Sequence, residues 1–185
     1  MFILYAPLLA LVVGLALGGR IDRLSDVRFR WLPAIGLAFL IQVPLFGPLT
    51  EVLPPGDAFG VALYVASLAL VLAAVLANVR RPGMPLLALG AALNLAAIVA
   101  NGGLMPATPE VIAALGWSGP HGGFSNSTVT ASPALPWLID RFAMPRGLPF
   151  ANVFSIGDVL IGTGVGWFIV RAMRPHATRT QDASG

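Results

Sequence analysis

Long runs of apolar residues, separated by short polar connections, make up most of this chain. Five runs are long enough to cross a hydrocarbon core as helices, which takes roughly 17 to 25 residues. They cover residues 2–18, 31–48, 58–79, 84–101 and 153–170. The pattern therefore predicts an all-α integral membrane protein built as a five-helix transmembrane bundle.

The composition favours the same class and excludes several kinds of site. Of the residues, 57% are hydrophobic and only 10% are charged, and the mean hydropathy is +0.84. No cysteine is present, which excludes thiol nucleophiles and cysteine metal ligands. The two histidines, His121 and His176, lie far apart in sequence without acidic neighbours. We therefore expect neither a metal nor a cofactor.

All eleven basic residues are arginines, and they cluster at the ends of apolar runs. Nine of the eleven fall on one side of an alternating five-span bundle, in the segments 19–30, 80–81 and 171–179. The positive-inside rule puts that side in the cytoplasm, with the N-terminus outside and the C-terminus inside. No basic face suited to tracking phosphates is evident, so nucleic acid is not an expected partner.

The same reading divides the chain into one transmembrane domain, residues 1–174, and a disordered cytoplasmic tail, residues 175–185. The first span has no positive charge before it, so it is interpreted as a retained helix. The absence of lysine and the abundance of Ala, Gly, Pro and Arg are typical of a GC-rich bacterial genome. The expected location is the bacterial cytoplasmic (inner) membrane.

The long outer loop, residues 102–148, contains two segments that predict short helices. TPEVIAALG (108–116) has a Thr N-cap, Pro at the first helical position and Gly at its end. SPALPWLIDRF (132–142) is the second. Both are too short to span a bilayer, so we expect them to lie in the interface.

Small residues recur at helix-contact spacing in the first and last spans. Gly14 pairs with Gly18, and Gly162 pairs with Gly166. Such pairs allow helices to approach closely, which serves packing within the chain or a contact with a second copy. Expected partners are the lipid bilayer and a membrane-protein partner or homo-oligomer.

Polar residues inside the spans are concentrated in the outer half. They are Gln42, Asn94, Asn101, Ser155 and Asp158. At ~1.5 Å of rise per residue, Asp158 is expected on the order of 10 Å below the outer end of the fifth span. The distribution predicts a polar pocket that opens outward beneath the 102–148 loop.

Each of these residues also has a purely structural interpretation. Gln42 and Asn94 are suited to hydrogen bonds between helices. Asn101, followed by two glycines, is suited to ending a helix.

Asp158 requires more explanation, because a carboxylate at mid-membrane costs roughly 2.5–3.5 kcal/mol on insertion scales. An ion pair with Arg141 or Arg146 would offset this cost, as would a neutral acid bonded to Asn94.

Three segments together carry a family resemblance: NGGLMP (101–106), WLIDRFAMP (137–145) and NVFSIGDVLIGTG (152–164). The chain resembles an uncharacterised family of small bacterial multi-pass membrane proteins, of the domain-of-unknown-function kind. The resemblance implies the membrane architecture and brings no known activity with it.

FSIGDVLIGTG (154–164) also looks like the last motif of bacterial lipoprotein signal peptidase, an intramembrane aspartyl protease. That resemblance implies a catalytic pair formed by Asp158 and Asp140, which precedes it by eighteen residues. Two such carboxyls sharing one proton would activate water. The chain departs from the motif at Ser155, where that family has Asn, and in having five spans instead of four.

Two functions follow from these observations. The leading one is non-enzymatic: an outward-facing polar pocket around Asp158 binds a small amphiphile or cation, or the protein is an accessory subunit of a membrane complex. The alternative is an aspartyl peptidase-like hydrolase that uses Asp140 and Asp158. The hydrolase requires both carboxyl groups to reach one water molecule, whereas binding requires Asp158 to line a cavity.

Overall fold

A computed structural model describes residues 2–54, 56–116 and 126–174, so the tail predicted to be disordered lies outside the described residues. The chain is mostly helical, as predicted. The helices are α1 Phe2–Ala16, α2 Leu32–Leu45, α3 Ala58–Leu76, α4 Met84–Ala100, α5 Pro109–Leu115 and α6 Ile156–Met173. The strands are β1 Met105–Ala107, β2 Ser127–Val129, β3 Phe142–Ala143 and β4 Val153–Phe154.

Every predicted span coincides with a helix, but the helices differ in length. Two of them, α3 with 19 residues and α6 with 18, are long and apolar enough to cross a membrane. The apolar helices α1, α2 and α4 are shorter, with 15, 14 and 17 residues. Length and composition therefore identify two candidate membrane spans.

The five long helices lie side by side in the order α2, α3, α4, α6, α1. The contact between α4 and α6 is close because glycines meet there. A Cβ at Gly90 would overlap the carbonyl oxygen of Gly157, and a Cβ at Gly164 would lie 2.6 Å from the carbonyl oxygen of Gly83. The backbones of α4 and α6 thus touch at two heights.

The first and last helices also pack through glycines. A Cβ at Gly162 would lie 3.2 Å from that of Ala6, and one at Gly166 would lie 3.8 Å from that of Ala10. Gly14 is buried against the side chain of Met173. Packing within the chain is thus confirmed for Gly14, Gly162 and Gly166. The prediction for Gly18 is wrong, because α1 ends at Ala16 and a Cβ at Gly18 would meet nothing within 4 Å.

The three arginine-rich connections meet at one end of the helices, called here the arginine end. The backbone N–H of Arg20 donates to the carbonyl of Met173, the last residue of α6, at 2.9 Å. The buried Asn78 side chain exchanges two hydrogen bonds with the backbone of Arg30, at 3.0 and 2.8 Å. The connection before α2 is thereby fixed against the ends of α3 and α6.

The segment from residue 101 to residue 155 covers the opposite end, called here the site end. It contains two small sheets, with β1 parallel to β2 and β3 antiparallel to β4. The helix predicted at 108–116 is confirmed as α5, and Thr108 Oγ1 accepts a hydrogen bond from Val111 N at 3.4 Å.

The second short helix, predicted at 132–142, is wrong. These residues form turns that lead into β3. Leu135 has φ of 52°, in the left-handed region, and Pro136 follows it without an N–H to donate.

Candidate functional site

Asp158 belongs to the first turn of α6. Ser155 is the N-cap, and its Oγ accepts a hydrogen bond from Asp158 N at 3.1 Å. In return, Asp158 Oδ2 accepts from Ser155 N at 3.0 Å, which completes a capping box. The predicted depth of Asp158 within the helix is therefore wrong, because Val153 and Phe154 form β4 and α6 begins only at Ile156.

Asn94 on α4 closes this cap into a ring of hydrogen bonds. Its Nδ2 donates to Asp158 Oδ1 at 2.8 Å, and its Oδ1 accepts from Ser155 Oγ at 2.8 Å. The ring needs Gly157, because a Cβ there would overlap the Asn94 side chain. Three of the five predicted binding residues are thus in direct contact, and they join α4 to the start of α6.

The arginines considered as ion-pair partners of Asp158 are engaged elsewhere. The guanidinium of Arg141 lies over the Trp137 ring, 4.8 Å from its centroid. Arg146 donates to the carbonyls of Ala114 and Ala113 at the end of α5, at 2.7 and 2.8 Å. Of the two partners considered for Asp158, an arginine and Asn94, the structure contains the hydrogen bond to Asn94.

Asp140 is brought to the same end by backbone pairing. Its N–H donates to the carbonyl of Pro106 at 2.9 Å, and it forms a bridge with Ala107. In the β3–β4 pair, Phe142 lies opposite Phe154. Arg141 N also donates to the carbonyl of Phe154 at 3.2 Å. The charge of Asp158 acts on the Asp140 carboxyl, so the two aspartates lie near each other.

Asp140 is largely buried, and its side chain has no polar partner among the described residues. The residue is 7% exposed, and no hydrogen bond within residues 2–54, 56–116 and 126–174 reaches its carboxyl group. Because no fully buried side-chain oxygen of these residues lacks a hydrogen bond, the carboxyl oxygens keep some contact with solvent. Burial, and then the charge of Asp158, raise the pKa of Asp140 from an ordinary 3.8 to about 7. Near neutral pH the Asp140 carboxyl is therefore poised between its protonated and ionised forms.

Two further polar residues at the site end were missed by the sequence reasoning. Tyr64 on α3 is 5% exposed and lies within electrostatic range of both Asp140 and Asp158. Its hydroxyl accepts a hydrogen bond from Asn126 Nδ2 at 3.2 Å. The available signal was a tyrosine in the apolar run VALYVASL, since a buried tyrosine hydroxyl requires a partner.

The two other predicted binding residues lie apart from the ring. Gln42 Nε2 donates to Ser67 Oγ at 2.9 Å, which joins α2 to α3. Asn101 ends α4, and its Nδ2 donates to the carbonyls of Ala97 and Ala134 at 2.7 and 2.9 Å. Its Oδ1 accepts a hydrogen bond from Ala134 N at 2.8 Å. Both side chains thus have the structural roles considered for them.

The described residues contain no group of three or more His, Asp or Glu side chains placed to hold a metal ion. An apolar groove of about 460 Å³ runs along α3 and α4, lined by Val61, Val65, Val99 and neighbouring small residues. It includes none of the ring residues. The polar pocket predicted around Asp158 therefore stays a prediction.

Comparisons with known proteins identify the family to which the chain belongs. No curated protein and no solved structure matches the chain. Residues 26–170 match a family of unknown function, which is the kind of family that the sequence resemblance predicted. The matched range includes the ring, Asp140 and, from the arginine end, Arg28, Arg30, Arg80 and Arg81. The chain belongs to this family, DUF5317.

Proposed function

We propose that this is a multi-pass protein of the bacterial inner membrane in which all five long helices cross the bilayer. Large apolar side chains on the outside of the helices support this proposal. On α1 and α2 the exposed fractions are 62% for Leu8, 64% for Leu9, 72% for Leu40 and 67% for Val43. Soluble monomers rarely expose continuous apolar surface of this kind, whereas lipid covers it.

The proposed orientation places the arginine end in the cytoplasm and the site end outside. It is supported by the meeting of all three arginine-rich connections at one end of the helices. Because the shorter helices α1, α2 and α4 need to reach both interfaces, local bilayer thinning and the flanking residues complete their spans.

Labelling of introduced cysteines tests this topology on a chain that has none of its own. We expect Ser132→Cys at the site end to react with an impermeant thiol reagent added to intact cells. Ser25→Cys at the arginine end is expected to react only after the membrane is permeabilised. Equal labelling of both positions in intact cells would contradict the orientation.

The function that the geometry supports best is the binding of a small cationic ligand at the site end, by Asp140 and Asp158. The carboxyl group of Asp140, on a residue only 7% exposed and without a hydrogen bond from the described chain, is the observation that carries this proposal. A carboxylate with little contact with water and no donor is costly. A ligand ammonium group supplies both the missing donor and the missing charge.

The ring around Asp158 has a supporting part in this proposal. Each Asp158 oxygen accepts one hydrogen bond, from Asn94 and from the Ser155 backbone, so each keeps lone pairs available. Since these donors are neutral, the ring orients the carboxylate but brings no full positive charge to it, and only the partial positive charge of the α6 N-terminus favours the anion. No guanidinium competes for it, because Arg141 and Arg146 are held elsewhere.

Thermal unfolding of the purified protein in neutral detergent tests cation binding. We expect butylammonium, or the more amphiphilic octylammonium, to raise the unfolding temperature at pH 8 more than sodium at equal ionic strength. The rise is expected to shrink at pH 6, where Asp140 is protonated, and to disappear in Asp140→Asn. Glu110→Gln, which removes an exposed carboxylate of the same loop, is the matched control.

Equal shifts in Asp140→Asn and in wild type would contradict this proposal, and so would shifts no larger than that given by sodium. Loss of function in the native host at normal membrane abundance would support a binding role. Loss of abundance in Asp140→Asn or Asp158→Asn would instead indicate that the carboxyl groups are structural.

A second candidate function is an aspartyl hydrolase acting on a lipid-anchored peptide. It is favoured by one observation, that the charge of Asp158 contributes to the raised pKa of Asp140. In such a pair the protonated Asp140 would be the acid and Asp158 the base. Ser155, at the position of the peptidase asparagine, is fully engaged in the cap and the ring.

Hydrolysis is tested with a lipid-anchored peptide and the purified protein, with products identified by mass spectrometry. A hydrolase requires that Asp140→Asn and Asp158→Asn each lower the rate by roughly 10²–10⁴, a typical contribution of general acid–base catalysis. If the wild-type protein binds the cation but cleaves no such peptide, the hydrolase function would be excluded and the binding function retained.

A further inference from the structure

The arginine end contains a cavity of about 730 Å³, called here the basic pocket. Its walls come from the connection before α2, the start of α4 and the last turn of α6. One acidic residue, Asp26, lines it. Five arginines also line it: Arg23, Arg28, Arg81, Arg171 and Arg174. The pocket is therefore strongly positive.

Two of the five guanidinium groups have partners within the protein. Arg23 Nη1 donates to the carbonyl of Met173 at 3.0 Å, where the end of α6 leaves carbonyls without helical partners. Arg81 donates to the carbonyl of Arg28 and lies over the Phe29 ring, 5.5 Å from its centroid.

The side chains of Arg28, Arg171 and Arg174 form no hydrogen bond or ion pair within the described part of the chain. Arginine does not deprotonate in proteins, so their charges persist at every physiological pH. Like charges that converge on one cavity repel each other, and the single Asp26 offsets only a part of this. An anion in the cavity would satisfy all three donors at once.

From this arrangement we propose that the basic pocket binds a phosphate-bearing anion. Guanidinium groups bind phosphate through paired hydrogen bonds, and three of them here have no other partner among the described residues. The remaining lining includes Val27, Phe168 and Ala172, which are apolar. Arginines beside apolar walls at the end of membrane helices suit the head group of an anionic phospholipid, and a soluble phosphate shares the same chemistry.

Membrane topology alone does not account for this geometry. The positive-inside rule requires basic residues in the connections but sets no requirement on where their side chains point. Arg30 and Arg80 lie in the same connections and do not line the pocket. They provide a matched comparison, because they carry the same charge on the same face of the protein.

Binding is tested on the purified full-length protein in neutral detergent, by native mass spectrometry and by shifts in unfolding temperature. The probes are phosphatidylglycerol, phosphatidylcholine, inorganic phosphate and pyrophosphate. We expect Arg28→Gln/Arg171→Gln to bind the anionic probe at least ~10-fold more weakly than wild type. Arg30→Gln/Arg80→Gln is expected to stay within about 2-fold. Arg174→Gln alone is the second variant if the double variant does not fold.

The probes separate the two sources of phosphate. Retention of phosphatidylglycerol over phosphatidylcholine, without competition by pyrophosphate, identifies a lipid head group. Binding of phosphate or pyrophosphate without lipid identifies a soluble anion. Equal losses in the two double variants, or no binding of any anionic probe, would overturn the proposal. Because Asp140→Asn is expected to bind these probes normally, the outcome is independent of the site end.

Discussion

Asp140 at the site end and Arg171 at the arginine end each lie near charges of their own sign, but only the aspartate can become neutral at physiological pH. Burial and Asp158 raise the pKa of Asp140 to about 7, so a proton removes the repulsion. Arg171 shares the basic pocket with four other arginines, none of which can lose its charge.

This difference shows how each end reaches electrical balance. The site end is balanced by protons and by neutral donors such as Asn94, and therefore responds to pH. The arginine end is balanced by backbone carbonyls, one aromatic ring and the anion that we propose, and therefore responds to salt and to anions. The following predictions, from the largest expected effect to the smallest, test this distinction.

The largest effect is expected from pH acting on Asp140. Because its folded pKa of about 7 exceeds its ordinary value of 3.8, folding favours the protonated form. The corresponding stability is full below pH ~4 and is lost as pH rises through 7. The free energy of unfolding should fall by about 4 kcal/mol over this range, as measured by thermal or denaturant unfolding in detergent.

Substitution identifies the group responsible for that fall. Asp140→Asn should flatten the profile between pH 4 and 7, whereas Glu110→Gln, on the exposed surface of α5, should leave it in place. A fall that persists in Asp140→Asn would mean that Asp140 does not set the pH response of the site end.

The next largest effect is expected from Gly157→Ala. The added Cβ would overlap Asn94 and lie 2.9 Å from the carbonyl oxygen of Gly90, so both the ring and the contact of α4 with α6 must shift. Overpacking of this kind costs roughly 3 kcal/mol. Gly36→Ala on α2 meets nothing within 4 Å and should instead raise stability slightly. Equal unfolding temperatures for the two variants would contradict the close contact.

A smaller loss is expected from Asn94→Leu. The substitution leaves Asp158 Oδ1 without its donor and Ser155 Oγ without its acceptor, at a cost of about 2 kcal/mol. Gln42→Leu should cost less, about 1 kcal/mol or below, because Ser67 still donates to the Tyr64 carbonyl at 2.7 Å. The reverse order of unfolding temperatures would show that the ring is not the stronger connection.

The smallest effect is expected from Arg28→Gln at the arginine end. Unlike the substitutions at Gly157 and Asn94, it should stabilise the protein. In low salt and without phosphate-bearing anions, removing one of the crowded charges should raise the free energy of unfolding by less than about 1 kcal/mol. The gain should disappear at high salt because the repulsion is screened. Arg30→Gln, outside the pocket, should show no such dependence on salt.

The sequence was sufficient to predict that the five long helices and α5 exist, because the apolar runs are long and the signals that start α5 are local. Thr108 followed by Pro109 predicted the start of α5 correctly. The spacing of Gly162 and Gly166 predicted a close contact within the chain, which the packing against α1 confirms. These features depend on residues a few positions apart.

The features that depend on distant pairing were not predictable in the same way. The start of α6 was placed too early because Val153 and Phe154 are apolar enough to continue a helix, yet they pair with β3. The same pairing brings Asp140 near Asp158. It depends on backbone hydrogen bonds, which the pattern of side chains along the sequence does not reveal. Tyr64 and Asn126 are 62 residues apart, and nothing local connects them.

The contact between the first and last helices has a consequence for the order of events during synthesis. The face of α1 around Ala6 and Ala10 is covered by α6, so it has no partner within the chain until residues 156–173 have been made. Phe2 N and the Tyr5 hydroxyl likewise bond to Asn152 and Pro149, late in the chain. A nascent chain stalled after α4 therefore presents an uncovered first helix, and completing α6 is the step that encloses it.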